Sequence, residues 1–335
     1  MPFVQSCITS VLAQDYPHVE HVIQDGGSAD GTVEMIQKYS REYDQIKWRS
    51  EPDQGQSDGL NKALGRCQGD IVLVLNADDE LLPHACSWGV EQIEKYPEVA
   101  VVYGDHIFID AQGKVIGDHR VQKPYQFEKV FCVEQVIPAQ AAFIRRSYFE
   151  QVGFYADITR PTCPDYEMWV RIGLQFPMKY VPGPVSRYRK HSGQEGSWSF
   201  MVIKMIESKR EVIDRTLRDP HTSRRLKKLE GRAHGGVLFW GASVLFGNQA
   251  YRQCFTYMVR SFWISPAHLV KQLLIRLWMS PRRFFLLLTE LIIQLLNPVR
   301  EELPSLAEKL KVEQDQGILG GTIQKDSTKL SQSDV

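Results

Sequence analysis

Acidic side chains follow three strand-like segments in the first half of the chain, and each acidic stretch directly precedes a predicted helix. The acids of greatest interest are Asp25, Asp53, Asp78 and Asp79. In open α/β sheets, ligands bind outside the carboxyl ends of the strands, so we expect these loops to meet at one cleft. The sequence therefore predicts a ligand-binding cleft lined by acidic side chains.

Helices and strands alternate as far as about residue 96, and this order must position the acidic loops. The hydrophobic pattern predicts helices over 3–14, 32–43, 56–67 and 83–96, and strands over 20–24, 46–50 and 71–75. The alternation is typical of an α/β fold with a Rossmann-like, mostly parallel sheet and helices on both faces.

Beyond residue 96 the pattern is first strand-rich and then helical. Strands are predicted over 99–103, 107–109, 115–116, 141–144, 178–181 and 185–189, with a helix over 165–175. Residues 200 to about 297 are predicted to be helical, with breaks near residues 219, 247, 265, 280 and 297, where Pro or Gly occurs. The polar residues 300–335 predict a disordered tail.

Composition excludes several classes of protein. Of 335 residues, 43% are hydrophobic and 24% charged, which excludes a disordered, collagen-like or coiled-coil chain. The formal net charge of zero conceals an asymmetry. Residues 1–200 carry 19 basic and 27 acidic side chains, whereas residues 201–299 carry 16 and 6. The two parts of the chain therefore favour different roles.

Cysteine usage and the lack of a leader predict a cytoplasmic protein. Six cysteines occur without a CxxC pair, so neither a zinc site nor a disulfide framework is indicated, and a reducing compartment is expected. No signal peptide is expected, because residues 1–5 have neither a basic stretch nor a long apolar one. The longest apolar run, Phe284 to Leu296, is shorter than the roughly 20 residues that cross a bilayer.

Several motifs together resemble glycosyltransferase family 2. They are SVLAQDYP at residues 10–17, DGGSADGT at 25–32, EPDQGQSDGLNKAL at 51–64, LNADD at 75–79 and CPDYEMWVRI at 163–172. Their joint order covers residues 1 to about 195 and is more specific than any single motif. The resemblance implies a GT-A fold, with a nucleotide-binding part at about 1–105 and an acceptor-binding part at about 106–199. A basic helical region at 200–299 and the tail at 300–335 would follow.

The resemblance assigns the metal and nucleotide sites. Asp78 and Asp79 stand at the DxD-like metal motif, with Asn76 in place of its first acid, and His191 lies in a segment similar to the family's "YRxH". Asp25, Asp53 and Asp78 would contact the sugar nucleotide, and Mg²⁺ or Mn²⁺ would be the cofactor. The alternative roles are helix capping for the Asp78–Asp79 pair, a plain turn for Asp25 and a structural role for His191.

The catalytic base implied by the resemblance is Asp165. An inverting transferase needs a carboxylate that takes the proton of the acceptor hydroxyl. Pro164 replaces the acid that normally precedes this position, and Glu167 is the second candidate base. The competing interpretation is that Asp165 caps the helix predicted over 165–175.

The resulting functional hypothesis is an inverting, metal-dependent glycosyltransferase. It would move a sugar from a nucleoside-diphosphate sugar to a hydroxyl of a glycan or lipid-linked acceptor, in cell-envelope or extracellular polysaccharide synthesis. The alternatives are a non-catalytic sugar-nucleotide-binding or scaffold protein and a nucleotidyltransferase. Nucleic-acid binding is not expected, because the basic residues of 201–299 are interleaved with large apolar ones.

Two further expectations concern the start of the chain and its C-terminal helical region. Family members open with a strand that this chain lacks, so we expect either a start site assigned too late or a damaged enzyme. Residues 269–278 and 284–296 combine apolar and basic side chains. This composition suits either peripheral contact with the cytoplasmic face of a membrane or packing in a helical bundle.

Overall fold

The computed structural model describes residues 3–119, 124–155, 163–194 and 198–279. Residues 1–274 form one compact unit, which contains both the α/β elements and most of the C-terminal helices. The second unit, residues 275–335, is described only as far as residue 279. The predicted domain boundary near residue 200 thus separates element types within one unit, and its functional meaning stays a prediction.

The first half of the chain alternates helices and strands as predicted. The elements are α1 (Val4–Leu12), β1 (His21–Asp25), α2 (Thr32–Glu42), β2 (Ile46–Ser50), α3 (Gln56–Leu64), β3 (Ile71–Val72), β4 (Glu80–Leu81) and α4 (Ala85–Lys95). The strand predicted over 71–75 pairs only through its first two residues. Strand β4 was not predicted, because two residues carry no periodic signal.

The next part of the chain contains two long strands. Its elements are β5 (Val101–Ile109), β6 (Val115–His119), α5 (Phe127–Phe131), β7 (Ala142–Arg145), α6 (Arg146–Val152), α7 (Pro164–Gln175) and β8 (Met178–Arg189). Strand β5 unites two predicted strands, and so does β8. The register between them shifts near Asp105, whose carboxylate accepts a hydrogen bond from the Gly183 N–H at 3.1 Å. The gap between each two predicted strands is therefore a local irregularity within one continuous strand.

The strand pairing corrects the prediction of a mostly parallel sheet. One sheet has the order β3-β7-β5-β8-β4, with β6 also paired to β5, and a second sheet contains β1 and β2. Only β1–β2 and β5–β8 are parallel among the described ladders; the other four are antiparallel. The α/β fold class is confirmed, but strands joined by short turns, such as β5 and β6, must run antiparallel.

The core lies on both faces of the larger sheet. Along β5, Val101 and Tyr103 face one buried cluster with Met168 of α7, whereas Val102 faces another with Ile93 of α4. This is the alternation that a two-sided strand requires. On the second face, Gly89 of α4 leaves no room for a Cβ beside the ring of Phe143, so the helix packs closely on the sheet.

The C-terminal part is helical as predicted. Its helices are α8 (Ser199–Arg218), α9 (Arg224–Lys227), α10 (Glu230–Gly247), α11 (Tyr251–Ile264) and α12 (Pro266–Met279). The breaks predicted near 219, 247 and 265 are confirmed. Those near 280 and 297, the apolar run 284–296 and the tail lie outside the described residues. None of the helices as far as residue 279 has the length and apolar character needed to cross a membrane.

Candidate active site

The Asp78 carboxylate is held by residues that follow the last core strand. Its Oδ2 atom lies 3.1 Å from Nε2 of His191 and accepts a hydrogen bond of 3.2 Å from Nε2 of Gln194. The Asp78 and His191 side chains are 25% and 19% exposed, so both reach solvent. The structure therefore brings these two predicted site residues together.

Asp79 points in the opposite direction and is completely buried. Its Oδ1 accepts a hydrogen bond of 2.9 Å from the backbone N–H of Arg189, and Asn76 Nδ2 lies 3.5 Å from its Oδ2. Burial, with a further contribution from the Asp78 charge, raises the pKa of Asp79 to about 7 despite that backbone hydrogen bond. Its contacts are those of a group that anchors the turn, and the predicted metal role of Asp79 stays a prediction.

Arg189 stabilises the turn that contains Asp78 and Asp79. The side chain is only 3% exposed, and its Nε donates a hydrogen bond of 2.8 Å to the backbone carbonyl of Asp78. The guanidinium also forms an ion pair with Glu80 and donates to the carbonyl oxygen of Asp110. Its donors are thus directed at protein acceptors, which fits a role in positioning Asp78.

The chemistry of Asp78 and His191 fits a divalent cation. A magnesium or manganese ion that binds a diphosphate typically uses one or two protein side chains and completes its coordination with phosphate and water oxygens. Within the described ranges, no cluster of three His, Cys, Asp or Glu side chains could hold a metal by itself. His191 Nδ1 accepts a hydrogen bond from the Gly193 N–H, which assigns the ring proton to Nε2. Metal binding through Nε2 would therefore move that proton to Nδ1 and break the hydrogen bond with Gly193.

Asp25 ties the end of β1 to the end of β2. Its Oδ2 accepts hydrogen bonds from the backbone N–H groups of Gly27 and Ser28, both at 2.9 Å, and from Ser50 Oγ at 2.6 Å. Burial alone would raise the pKa of Asp25, but these hydrogen bonds outweigh it and the pKa is lowered. The carboxylate is therefore ionised and shapes the loop; its predicted contact with the nucleotide stays a prediction.

Asp53 lies beside the same loop and is exposed. Its Oδ1 accepts a hydrogen bond of 3.0 Å from Gly55, and its Oδ2 would lie 2.6 Å from a Cβ at Gly26 and 3.2 Å from one at Gly59. A side chain at position 26 would displace the Asp53 carboxylate, which is the end of an exposed side chain. The structure thus joins the loops of Asp25 and Asp53.

Three polar side chains of α3, Asp58, Asn61 and Lys62, have partners within the chain. The Asn61 side chain donates to the carbonyl of Tyr155 at 2.8 Å and accepts from its N–H at 2.9 Å. Lys62 bonds the carbonyl of Pro52 and pairs with Asp58 at 3.0 Å. These contacts support a structural role for all three side chains.

Asp165 lies in the first turn of α7 and is partly buried. Burial raises the pKa of its carboxyl, while the Lys209 ammonium and the Tyr155 hydroxyl act in the opposite sense. The Lys209 side chain is buried, with its Nζ 4.3 Å from the ring centroid of Tyr166 and 4.8 Å from that of Trp240. A lysine of α8, far along the chain, therefore tunes the predicted base.

Glu167 is less suited to the role of base. Its carboxylate pairs with Arg171 at 2.8 Å and with Arg215 at 2.9 Å. Both oxygen atoms of this carboxylate are occupied by guanidinium groups, so neither is free to contact an acceptor hydroxyl. The geometry favours Asp165 over Glu167, although the assignment of the base stays a prediction.

Tyr188 links the two halves of the candidate site, and sequence reasoning missed it. Burial raises the pKa of its hydroxyl to about 12, and the charges of Asp79, Asp78 and Asp165 contribute in that order. The metal-site carboxylates and the predicted base therefore lie within electrostatic range of one hydroxyl. Its neighbours Arg189 and His191 in the sequence were the only signal that could have pointed to it.

The chain matches a known family over its first 150 or so residues. The family model described as Glycosyl transferase family 2 covers residues 2–153. An uncharacterised glycosyltransferase of Mycobacterium tuberculosis is 29% identical over 175 residues, which are 51% of this chain and 64% of that protein. Chondroitin synthase of Escherichia coli is 25% identical over 53% of this chain and 26% of its own length. The chain thus spans less than two thirds of these curated relatives.

Solved structures share the fold. The 1–349 fragment of Staphylococcus aureus TarS, in complex with UDP-GlcNAc, has a TM-score of 0.58 at 13% identity and covers 80% of this chain and 79% of that fragment. The mannosyltransferase PcManGT of Pyrobaculum calidifontis, in complex with GDP-Man and Mn²⁺, has a TM-score of 0.54 at 16% identity, over 87% and 81% of the two chains. At these identities the likeness establishes the fold alone. Residues 2–153 of this chain therefore match the model of glycosyl transferase family 2, and the chain shares the GT-A fold of these solved structures.

Proposed function

We propose that this chain is an inverting glycosyltransferase that uses a nucleoside-diphosphate sugar and a divalent cation. The acceptor would be a hydroxyl of a glycan or a lipid-linked glycan, in the synthesis of a cell-envelope or extracellular polysaccharide. Support for this setting comes from the family and from relatives named chondroitin synthase and poly-beta-1,6-N-acetyl-D-glucosamine synthase.

The observation that carries the proposal is the pair of Asp78 and His191. Both side chains are accessible to solvent, and Oδ2 of Asp78 lies 3.1 Å from Nε2 of His191, an arrangement suited to a cation that neutralises a diphosphate. Asp165, from a different segment, supplies a carboxyl whose pKa is raised by burial, which suits a general base that works near neutral pH.

In the proposed mechanism, Asp165 takes the proton of the acceptor hydroxyl as the oxygen attacks the anomeric carbon of the donor. The new bond joins the acceptor oxygen to that carbon, and the bond from the carbon to the diphosphate oxygen breaks with its electron pair. Attack from the face opposite the leaving group inverts the configuration. A cation bound by Asp78 and His191 would supply charge neutralisation for the leaving diphosphate. Asp79 and Arg189 would hold Asp78 in place.

The test separates donor binding from transfer. The full chain would be titrated calorimetrically with UDP, GDP and dTDP, each with and without Mn²⁺, and then assayed for turnover of UDP-GlcNAc and GDP-mannose. We expect one diphosphate to bind in a Mn²⁺-dependent manner. Asp165→Asn should keep that binding and lose turnover by about 10²–10⁴-fold, the usual contribution of a general base.

Glu150→Gln supplies the matched control, because this glutamate pairs with Arg146 on an exposed surface of α6. It should leave both binding and turnover unchanged. Absence of binding by any diphosphate would overturn the proposal and favour a scaffold role. Full turnover in Asp165→Asn would overturn the assignment of the base.

A further inference from the structure

Helix α11 exposes a stripe of large apolar side chains. Phe255 is 39% exposed, Val259 37%, Phe262 45% and Trp263 78%. Their spacing of four, three and one residues places them on one side of an α-helix. Such a contiguous set of exposed aromatic and aliphatic side chains marks a surface that contacts another apolar phase.

The opposite side of α11 is fixed against the rest of the chain, so the orientation of the stripe is determined. Cys254 and Ser261 are buried, and Ser261 Oγ donates a hydrogen bond of 2.9 Å to the carbonyl of Gly235 in α10. In α12, His268 is also buried, whereas Val270 and Leu274 are 48% and 59% exposed. Both helices therefore pack through one side and present apolar side chains on another.

The charged side chains of the sequence segment that contains α11 and α12 are all positive. Between Glu230 and Glu290 the sequence contains no Asp or Glu, but it contains seven Lys and Arg residues. Arg252, Arg260 and Lys271 of this segment are exposed on α11 and α12. An apolar stripe on helices that carry cations and no acids of their own is complementary to an apolar surface with anionic groups at its boundary.

We propose that the exposed side of α11 and α12, which we call the α11–α12 surface, docks on a bilayer of anionic lipid. Phe262 and Trp263 enter the boundary between headgroups and acyl chains, where an aromatic ring is stable with one edge in water. Arg252, Arg260 and Lys271 contact the lipid phosphates. This surface lies outside residues 2–153, which match the family, and the inference does not depend on the proposed reaction.

A lipid surface fits these observations better than a second copy of the chain. A symmetric dimer formed through the α11–α12 surface would bring each basic group towards its own counterpart, with no acid in the segment to compensate. A bilayer supplies many anionic phosphates and accepts aromatic side chains without shape complementarity. The segment 280–335 of the same chain is the other occupant that the experiment must distinguish.

The experiment is vesicle flotation of the full chain. Vesicles of phosphatidylglycerol with phosphatidylcholine are compared with vesicles of phosphatidylcholine alone. We expect binding to the anionic vesicles only, with a decrease at high salt because exposed charges are screened. The double variant Phe262→Ser with Trp263→Ser should bind at least about tenfold more weakly. The triple variant Arg252→Gln, Arg260→Gln and Lys271→Gln should bind the anionic vesicles about a hundredfold more weakly.

A matched control uses exposed apolar residues elsewhere in the chain. Val115 and Ile116 of β6 are 58% and 53% exposed, and their replacement by Ser should leave vesicle binding unchanged. Circular dichroism melting would show that each variant is folded. Equal flotation of the Phe262 and Trp263 double variant would overturn the proposal and assign binding to residues 280–335. Equal binding to both vesicle types, dimerisation without vesicle binding, or no binding at all would also overturn it.

Discussion

The Nε2 atom of His191 lies 3.1 Å from Oδ2 of Asp78, although 113 positions separate the two residues in the chain. The cause is the short ladder between β4 and β8, in which Glu80 is opposite Arg187 and Leu81 is opposite Ser186. The strands are antiparallel, so the turn before β4 lies beside the residues that follow β8. A ladder of only two residue pairs thus brings the candidate metal ligands together.

The first prediction concerns His191 as a metal ligand. His191→Ala should weaken Mn²⁺-dependent binding of the nucleoside diphosphate by about 10–100-fold, while metal-independent binding stays unchanged. The measurement is calorimetric titration with and without Mn²⁺. His18→Ala is the control, because His18 is exposed and belongs to no part of the site. A loss of the same size in the absence of metal would assign His191 a role in binding the nucleotide itself.

The second prediction distinguishes the two adjacent aspartates. Asp79→Asn should retain Mn²⁺-dependent binding, because the Asn Oδ1 atom can still accept the hydrogen bond from the Arg189 N–H. Asp79→Ala should destabilise the fold by about 1–3 kcal/mol, since that buried N–H would lose its acceptor. Asp78→Asn should remove the metal dependence. If Asp79→Asn removes it equally, Asp79 is a metal ligand, as the sequence predicted.

The third prediction compares two arginines that pair with Glu80. Arg189→Met should lower the free energy of unfolding by about 3–5 kcal/mol, because it breaks a buried ion pair and leaves backbone acceptors of the turn unpaired. Arg187→Met should cost less than about 1 kcal/mol, since the Arg187 side chain is 41% exposed. Urea unfolding of both variants is the measurement. Equal losses would contradict the bracing role of Arg189.

The fourth prediction concerns the pH dependence of turnover. The pKa of Asp165 is raised by burial, and a base must be ionised, so activity should fall with decreasing pH at values above the ordinary range of an aspartate. The positive charge of Lys209 lowers that pKa. Lys209→Met should therefore move the acid limb of the kcat/KM profile to higher pH. Lys204→Met, on an exposed position of the same helix, is the control and should not move it.

A purely structural role of Lys209 gives a different result. In that case turnover or stability would fall, but the acid limb would stay where it is in the unmodified chain. The profile would be measured over the pH range in which both variants remain folded, as judged by circular dichroism. An unchanged limb in folded Lys209→Met would refute the electrostatic role.

The fifth prediction tests the packing of α10 on the α/β part. At Gly236 a Cβ would collide with the backbone carbonyl of Cys132, which cannot move as a flexible side chain can. Gly236→Ala should therefore lower stability by about 1–3 kcal/mol. A Cβ at Gly247 in the same helix would meet no atom within 4 Å. Gly247→Ala should therefore be neutral, or stabilising by up to about 1 kcal/mol. Thermal unfolding of the two variants measures the difference, and a stable Gly236→Ala would contradict this packing.

Much of the local structure could be predicted from the sequence. Hydrophobic periodicity located α2 (Thr32–Glu42), β2 (Ile46–Ser50) and the other early elements within a few residues. Proline and glycine located the helix breaks near residues 219, 247 and 265, because these residues act on the backbone of their own segment. Acids at strand ends identified where a site would form, since that rule depends only on the order of the elements.

The tertiary structure decided the features that depend on distant partners. The strand predicted over 71–75 forms a ladder only at residues 71 and 72, and the antiparallel pairs of β3, β4 and β7 involve segments far apart in the chain. Which of Asp78 and Asp79 faces solvent depends on the β4–β8 ladder and the Arg189 N–H, neither of which has a sequence signal. The same is true of Lys209 beside Asp165.

The sequence by itself determined the α/β order, the breaks between helices and the candidate carboxylates Asp25, Asp53, Asp78 and Asp165, because residue type and local periodicity suffice for these. Only the tertiary structure decided that Asp79 is buried, that Tyr188 lies within electrostatic range of three aspartates and that Trp263 is exposed. Burial and electrostatic range depend on which segments pack together. That choice is made by long-range contacts, which a single sequence does not display.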